Sequence, residues 1–250
     1  MDPTGEDHLA AKSIATAAGL ELLAIRSSGL SDSDLKSAGD ATSHSFIMNE
    51  LAERFPDDGV LSEEGVDGAD RLEHRRVWIV DPLDGTREFS EPPRSDWAVH
   101  VALAIDGQAV AGAVALPARG LTVSTGERQQ ERQQFEGPPR VLVSRTRPTE
   151  HALLIAESLN GQLLAMGSAG AKAMAVVLGE AEVYAHSGGQ YEWDSAAPVA
   201  VAAAAGLHVS RLDGSPLLYN RVDPWLPDLL ICRPEFAETC INVCKASEAR

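Results

Sequence analysis

The sequence has few basic residues and few cysteines. Lysine and arginine together number 21, against 37 aspartates and glutamates, so the formal net charge is −16. A chain this acidic is a poor partner for a nucleic-acid polymer or an anionic membrane, because both repel it. The three cysteines, Cys232, Cys240 and Cys244, are odd in number and lack the spacing of a disulfide framework. We therefore expect reduced thiols that pack in the interior of a cytoplasmic protein.

The sequence also lacks long hydrophobic runs. We identify no apolar run of transmembrane length, and the N-terminal segment MDPTGEDHLAAK is too polar and acidic for a signal peptide. With 250 residues, 44% of them hydrophobic, the chain is long enough for one large domain or two small ones. A small anionic ligand stays compatible with the negative charge, because a bound metal reverses the local field.

The predicted elements follow a different order in the two halves of the chain. Residues 1–135 begin with two helices and continue into apolar strands with a hairpin turn at Asp106-Gly107, an α+β pattern. Residues 136–250 alternate strands with helices, which indicates an α/β half with a partly parallel sheet. Between them, the glutamine-rich residues 127–139 are predicted to form an exposed loop or linker.

One segment, VWIVDPLDGTREF at residues 77–89, suggests a cation site. An apolar run leads directly into Asp81, and Asp84 follows three positions later. The segment is rich in turn-forming residues and could be a simple turn. Two carboxylates so close together nevertheless favour a positive charge between them, and hard cations such as Mg²⁺ take oxygen ligands. The carbonyl of Leu83, which lies between the two acids, is a further candidate ligand.

Two other classes of site compete for the same motif. An EF-hand loop requires acids at alternate positions and a distant glutamate, and neither requirement is met here. Phosphatases with a nucleophilic aspartate use a D-x-D-G-T motif, and this chain has one extra residue between the acids. In the metal interpretation, Gly85 and Thr86 open a helix whose N–H groups can meet a phosphate.

Further acids lie at the ends of predicted strands or the starts of predicted helices: Asp40, Glu63, Glu64 and Asp194. Taken singly, each has an ordinary explanation. Glu63 and Glu64 would suit a solvated turn, whereas Asp40 and Asp194 would suit helix N-caps. Asp40 would then begin a predicted helix in the segment GDATSHSFIMNELAERFP, with Pro56 beyond the end of the helix.

Three segments in this order, LSEE, WIVDPLDGTREF and WDSAA, resemble the lithium-sensitive, Mg²⁺-dependent phosphatases of the inositol monophosphatase superfamily. DGTREF and the segment GSAGAKAM, residues 167–174, resemble the CysQ-type 3'-phosphoadenosine 5'-phosphate phosphatases of that superfamily, actinobacterial ones in particular. The resemblance covers nearly the whole chain. It implies a layered α/β/α/β/α sandwich, two or three Mg²⁺ ions and inhibition by Li⁺.

The resemblance also implies roles for individual residues. The implied metal ligands are Glu63, Asp81, the Leu83 carbonyl, Asp84 and Asp194. The implied catalytic residues around the attacking water are Thr86, Glu63 and Asp40, although the SAGDATS sequence around Asp40 departs from the usual T-x-A-D pattern. The implied substrate contacts are Asp84, Gly85, Thr86, Arg87, Ser168, Lys172 and Asp194.

Lys172 bears on the choice of substrate. It falls in the first turn of a predicted helix, where the helix dipole disfavours a cation. Either it is an exposed lysine that reaches solvent, or it meets a second anion such as the 5'-phosphate of a nucleotide. Ser168 and Gly170 would offer further anion-binding groups at the same helix N-terminus.

The predicted activity is hydrolysis of 3'-phosphoadenosine 5'-phosphate to AMP and phosphate by a metal-activated water. Inositol monophosphatase or fructose-1,6-bisphosphatase activity in the same site is the alternative, and a binding protein without turnover is the alternative from another class. The expected partner is a small nucleotide bisphosphate, with no nucleic-acid polymer and no membrane. A homodimer is left open.

Overall fold

The computed structural model describes residues 2–66, 68–127 and 135–248. Within these residues, α-helices and strands follow one another in the order that periodicity predicts, with one short strand, β9, added. The elements are α1 (Gly5–Arg26), α2 (Asp32–Arg54), β1 (Gly59–Ser62), β2 (Arg76–Asp84), α3 (Thr86–Phe89), β3 (Ala98–Ile105), β4 (Gln108–Leu116), β5 (Leu121–Ser124), β6 (Arg140–Ser144), α4 (Glu150–Ser158), β7 (Gln162–Met166), α5 (Ala169–Val177), β8 (Val183–Tyr191), α6 (Glu192–Ala204), β9 (His208–Ser210), β10 (Trp225–Cys232) and α7 (Ala237–Glu248).

The first sheet has the strand order β1-β2-β3-β4-β5. Strand β1 pairs with β2 in parallel, and the remaining neighbours are antiparallel. The β3–β4 hairpin turns at Asp106 and Gly107, whose φ angles are 50° and 79°. Both values lie in the left-handed region that the Asp-Gly pair tolerates, so the predicted hairpin is confirmed.

The second sheet has the strand order β7-β6-β8-β10-β9. Strand β6 pairs in parallel with β7 and with β8, whereas β10 is antiparallel to both of its neighbours. The predicted partly parallel sheet is therefore confirmed. The sequence prediction did not include β9, which has only three residues.

Alternate residues of each sheet face different helices and thereby build five layers. In β2, Trp78 and Val80 pack in one hydrophobic cluster with α1 and α2, while Val77 and Ile79 pack in another with α5 and α6. In β10, Ile231 packs in that second cluster, whereas neighbouring strand residues pack with α4 and α7. The order helix, sheet, helix, sheet, helix confirms the predicted sandwich. Because the α5–α6 layer packs against both sheets, it can bring residues of both halves together.

One prediction about the first two helices is wrong. Helix α2 begins at Asp32 with Ser31 as its N-cap, so Asp40 lies inside the helix and does not cap it. Helix α1 is long and apolar enough by length and composition to cross a membrane, although no such segment was expected. In this fold its residues Ala11, Ile14 and Leu22 are at most 1% exposed and pack against α2 and the first sheet.

Other predictions concern the middle of the chain and its C-terminus. Residues 128–134 of the predicted linker lie outside the described residues, and the boundary between halves at residue 135 stays a prediction. The cysteines are free and buried, as expected. They pack in the cluster beneath α4 and α7.

Candidate metal centre and active site

Two carboxylates lie at the C-terminal end of strand β2, an inner strand of the first sheet. Its residues from Val77 to Asp84 are buried. In a regular strand, residues three positions apart point to opposite faces. Here the pairing with β3 shifts register between Asp81 and Asp84, at the point where Pro82 offers no N–H to the ladder. The Pro82 carbonyl instead accepts a hydrogen bond from Ser43 Oγ of α2 at 2.6 Å. This irregularity lets carboxylate oxygens of both acids lie within 4.8 Å of each other.

A third carboxylate joins them from the first turn of α6. Single ligand atoms from Asp81, Asp84 and Asp194 all lie within 4.8 Å of one another. Asp81 is 1% exposed and Asp84 is 7% exposed. Buried carboxylates at this spacing require protons or a cation, because their charges repel in a medium of low polarity. An all-oxygen donor set fits Mg²⁺, so this group could hold a metal ion.

Glu63 extends the cluster from the end of β1. It shares a hydrogen bond with Asp81, which requires a proton on one of the two carboxyl groups. The surrounding protein shields the carboxyl group of Glu63 from water, which raises its pKa to about 7, and the negative charges of Asp194 and Asp84 add to the effect. Burial, and then the charges of Glu63 and Asp84, raises the pKa of Asp81 well above its usual range. The cluster thus holds protons that a cation would displace.

Asp194 occupies a different helix position from the one predicted. Helix α6 begins at Glu192, and Asp194 accepts a hydrogen bond from the Tyr191 N–H at 2.6 Å. It is therefore not the N-cap. Burial raises its pKa to about 6, with a further contribution from the charge of Asp84.

Asp84 differs from the other acids because it is surrounded by hydrogen-bond donors. Its carboxylate accepts bonds from Ser168 Oγ at 2.5 Å, Ala169 N at 3.0 Å and Gly170 N at 2.6 Å, all at the N-terminus of α5. Burial would raise the pKa of Asp84, but His100, Ser168 and Lys172 outweigh burial and hold it at about 2. The anion at this helix N-terminus is thus Asp84 itself. Of these three donors, Ser168 Oγ and Gly170 N donate to Oδ2 and only Ala169 N donates to Oδ1, so Oδ1 retains capacity for a cation.

His100 was not singled out from the sequence. It is 0% exposed in strand β3, with Nε2 3.1 Å from Asp84 Oδ2 and Nδ1 3.0 Å from the Trp193 carbonyl. A Cβ on Gly170 would lie 2.0 Å from Nε2, so only glycine permits this approach. His100 therefore ties the acid at the end of β2 to the start of α6. The available signal was a single histidine within the apolar run WAVHVALAI.

Lys172 is buried in the first turns of α5. It is 6% exposed, so the alternative of an exposed lysine is wrong. Its Nζ donates to the carbonyls of Ser168 at 2.5 Å and Gly167 at 3.4 Å and lies 5.2 Å from the centre of the Tyr184 ring. A contact between Lys172 and a substrate phosphate stays a prediction.

Thr86 and Asp40 form a second group beside the acids. Gly85, with φ of 86°, precedes the short helix α3, as the motif predicts. Thr86 Oγ1 donates to the Leu83 carbonyl at 3.2 Å and shares a hydrogen bond with Asp40 of α2. Burial, and then the charge of Glu64, raises the pKa of Asp40 to about 6. Roles of Thr86 and Asp40 in positioning a water stay a prediction.

Arg87 is separate from the cluster in its contacts. Its side chain is 60% exposed and pairs with Glu91 at 3.1 Å. Its predicted substrate contact stays a prediction. The next residue, Glu88, was not predicted to matter, yet it is buried and pairs with Arg145 at 2.7 Å.

A model described as the inositol monophosphatase family matches residues 7–243. The chain belongs to this family. It is 52% identical over 211 residues to a 3'-phosphoadenosine 5'-phosphate phosphatase of Mycobacterium bovis, covering 81% of this chain and 79% of that one. A protein of the same name from Mycobacterium leprae is 48% identical over 251 residues, covering 95% and 93%. The solved structure of CysQ from Bacteroides thetaiotaomicron superposes with a TM-score of 0.76 at 26% identity, covering 91% and 97%.

Proposed function

We propose that the protein is a Mg²⁺-dependent phosphatase that hydrolyses 3'-phosphoadenosine 5'-phosphate to AMP and phosphate. The observation that carries the proposal is the group of Asp81, Asp84 and Asp194, whose ligand atoms lie within 4.8 Å of one another. The names of the mycobacterial relatives, at about half identity over most of the chain, support the substrate. The enzyme acts on a small nucleotide in the cytoplasm, and a homodimer stays a prediction.

Two or three Mg²⁺ ions would be held by Glu63, Asp81, the Leu83 carbonyl, Asp84 and Asp194. When bound, Mg²⁺ supplies a Lewis acid that lowers the pKa of a water molecule and neutralises charge on phosphate oxygens. The protein keeps Asp84 ionised through the N-terminus of α5 and His100, so one ligand is ready at neutral pH. Asp81 and Glu63 would give up their protons when cations bind.

Thr86 is suited to orient the attacking water. Its hydroxyl contacts both Asp40 and the Leu83 carbonyl. Glu63 would be the group that accepts the proton of the water. A carboxylate within reach of a bound water is a suitable general base. Backbone N–H groups of Gly85 and Thr86 are available to the scissile phosphate. In phosphoryl transfer most of the catalysis is positioning and charge stabilisation, which such fixed groups provide.

A competition assay tests this function. 3'-Phosphoadenosine 5'-phosphate, inositol 1-phosphate and fructose 1,6-bisphosphate are supplied at equal concentration, with Mg²⁺ or with a chelator, and the products are separated. We expect Mg²⁺-dependent consumption of the nucleotide first, with inhibition by millimolar Li⁺. If inositol 1-phosphate or fructose 1,6-bisphosphate is consumed first, the protein has the alternative activity. If no phosphate is released from any of the three compounds, the protein binds its ligand without turnover.

A further inference from the structure

Two aromatic side chains near the start of α6, the helix that carries Asp194, remain exposed. Tyr191 at the end of β8 is 45% exposed, and Trp225 at the start of β10 is 44% exposed. Among the described residues, these are the exposed aromatic side chains; the other large exposed apolar residues are aliphatic. Tyr191 and Trp225 are paired in the β8–β10 ladder, so they lie side by side. We call Tyr191 and Trp225 the aromatic shelf.

The shelf is held in a fixed position. The Tyr191 ring stacks on Trp193 with their centroids 4.7 Å apart and an interplanar angle of 12°. The Trp225 indole lies over Gly189, where an added Cβ would be 2.6 Å from its Nε1. Gly189 has a φ of 93°, which disfavours other residues as well. Both rings are therefore braced on one side and open on the other.

The backbone of Tyr191 is hydrogen-bonded to the candidate metal centre. The N–H of Tyr191 donates to Asp194 Oδ2 at 2.6 Å, and Asp194 belongs to the carboxylate group. The carbonyl of Trp193 accepts from His100, which also contacts Asp84. A ligand with a phosphate at the cluster and an aromatic ring a short distance away could reach the shelf.

We propose that Tyr191 and Trp225 form the surface on which the purine base of the substrate stacks. This inference rests on the proposed function, which supplies a substrate with one phosphate at the carboxylates, a ribose and an adenine. A base gains affinity from stacking on aromatic side chains, and rigid rings lose little entropy when they bind it. The shelf thus makes the enzyme prefer nucleotides over inositol or fructose phosphates, neither of which has an aromatic ring.

The test compares 3'-phosphoadenosine 5'-phosphate with the abasic 1-deoxyribose 3,5-bisphosphate, which keeps both phosphates and the sugar. In the wild type we expect the abasic compound to have a KM higher by roughly 5- to 150-fold, the range that base stacking provides. Tyr191→Ala and Trp225→Ala should each raise the KM of the nucleotide toward that of the abasic compound, with kcat nearly unchanged. Tyr191→Phe and Trp225→Phe should retain the preference. Leu9→Ala, at an aliphatic position that is 68% exposed, is the control.

Each outcome decides the proposal. If the alanine variants raise the KM of both compounds equally, the rings have a purely structural role. If the KM values do not change, the substrate base does not bind the shelf, which would then suit another partner such as a second copy of this chain. Either result overturns the inference. If the wild type hydrolyses neither compound, the proposed function fails separately. Calorimetric binding of the two compounds then decides: tighter binding of the nucleotide that Trp225→Ala abolishes supports the shelf, and equal or absent binding overturns it.

Discussion

Replacing Asp81 by asparagine should stabilise the metal-free protein while abolishing its activity. Asp81 is 1% exposed, and a ligand atom of its carboxylate lies within 4.8 Å of those of Asp84 and Asp194. Asparagine has nearly the same shape without the charge. The folded metal-free protein would therefore lose a repulsion, whereas the metal-bound protein would lose a ligand.

The size of the effect follows from the geometry. Two full charges 4.8 Å apart interact by about 3.5 kcal/mol at an effective dielectric constant of about 20. Proton uptake by Asp81 and the donors around Asp84 reduce this repulsion, so we expect Asp81→Asn to raise the free energy of unfolding by about 1–3 kcal/mol at neutral pH. For a chain of this length the melting temperature should rise by about 2–10 °C.

Thermal denaturation at pH 7.5, with a chelator or with Mg²⁺, measures both parts of this prediction. The wild type should gain stability from Mg²⁺, and Asp81→Asn should be more stable than the wild type in chelator yet gain little from Mg²⁺. Asp57→Asn, which removes an exposed carboxylate, is the matched control. A lower melting temperature for metal-free Asp81→Asn, or equal stabilisation of both proteins by Mg²⁺, would refute the reasoning, as would activity within tenfold of the wild type at saturating Mg²⁺.

Three further predictions concern the same site. The pKa is raised in the folded protein to about 6 for Asp194 and to about 7 for Glu63, so the folded state binds protons more tightly than the unfolded state. The stability that these two groups contribute to the metal-free protein should therefore be fully present below about pH 4 and be lost as the pH rises through 6 and 7. Flat melting temperatures from pH 5 to 8 would contradict this. His100→Leu should raise the Mg²⁺ concentration for half-maximal activity by about 10- to 100-fold, because it frees Asp84 and α6 from each other, while His74→Leu should have no effect; an unchanged Mg²⁺ requirement would exclude the positioning role. Lys172→Ala should lower kcat/KM for the nucleotide bisphosphate by about ten- to a hundredfold but leave inositol 1-phosphate nearly unaffected, if its charge serves the 5'-phosphate. Equal losses on both substrates would instead assign Lys172 to the α5 turn that it holds.

The sequence predicted those features that depend on local pattern. The apolar run of β2 ends in acids, and this pattern alone indicated both the buried strand and the oxygen-rich site. The Asp-Gly pair at residues 106 and 107 was sufficient for the hairpin. Local pattern also explains the errors: Asp40 has the character of an N-cap, but the helix starts earlier because Ser31 caps it.

The remaining features depend on contacts between segments that are distant in sequence. His100 meets its two partners only because the register shift in β2 and the start of α6 bring Asp84 and the Trp193 carbonyl to its two nitrogens. Lys172 is 6% exposed, and its Nζ lies 5.2 Å from the centre of the Tyr184 ring of β8, a contact that the local sequence around Lys172 does not indicate. The pairing of Tyr191 with Trp225 likewise requires the β8–β10 ladder. Neither periodicity nor spacing contains this information.

The most direct test of the account is phosphorus NMR of 3'-phosphoadenosine 5'-phosphate during turnover. The spectrum reports which of the two phosphates leaves and whether a metal is required. The account predicts that, with Mg²⁺, the 3'-phosphate signal is lost while the 5'-phosphate signal remains, with inorganic phosphate and AMP as products, and that nothing changes in chelator. Loss of the 5'-phosphate, equal turnover without Mg²⁺ or an unchanged spectrum would contradict it.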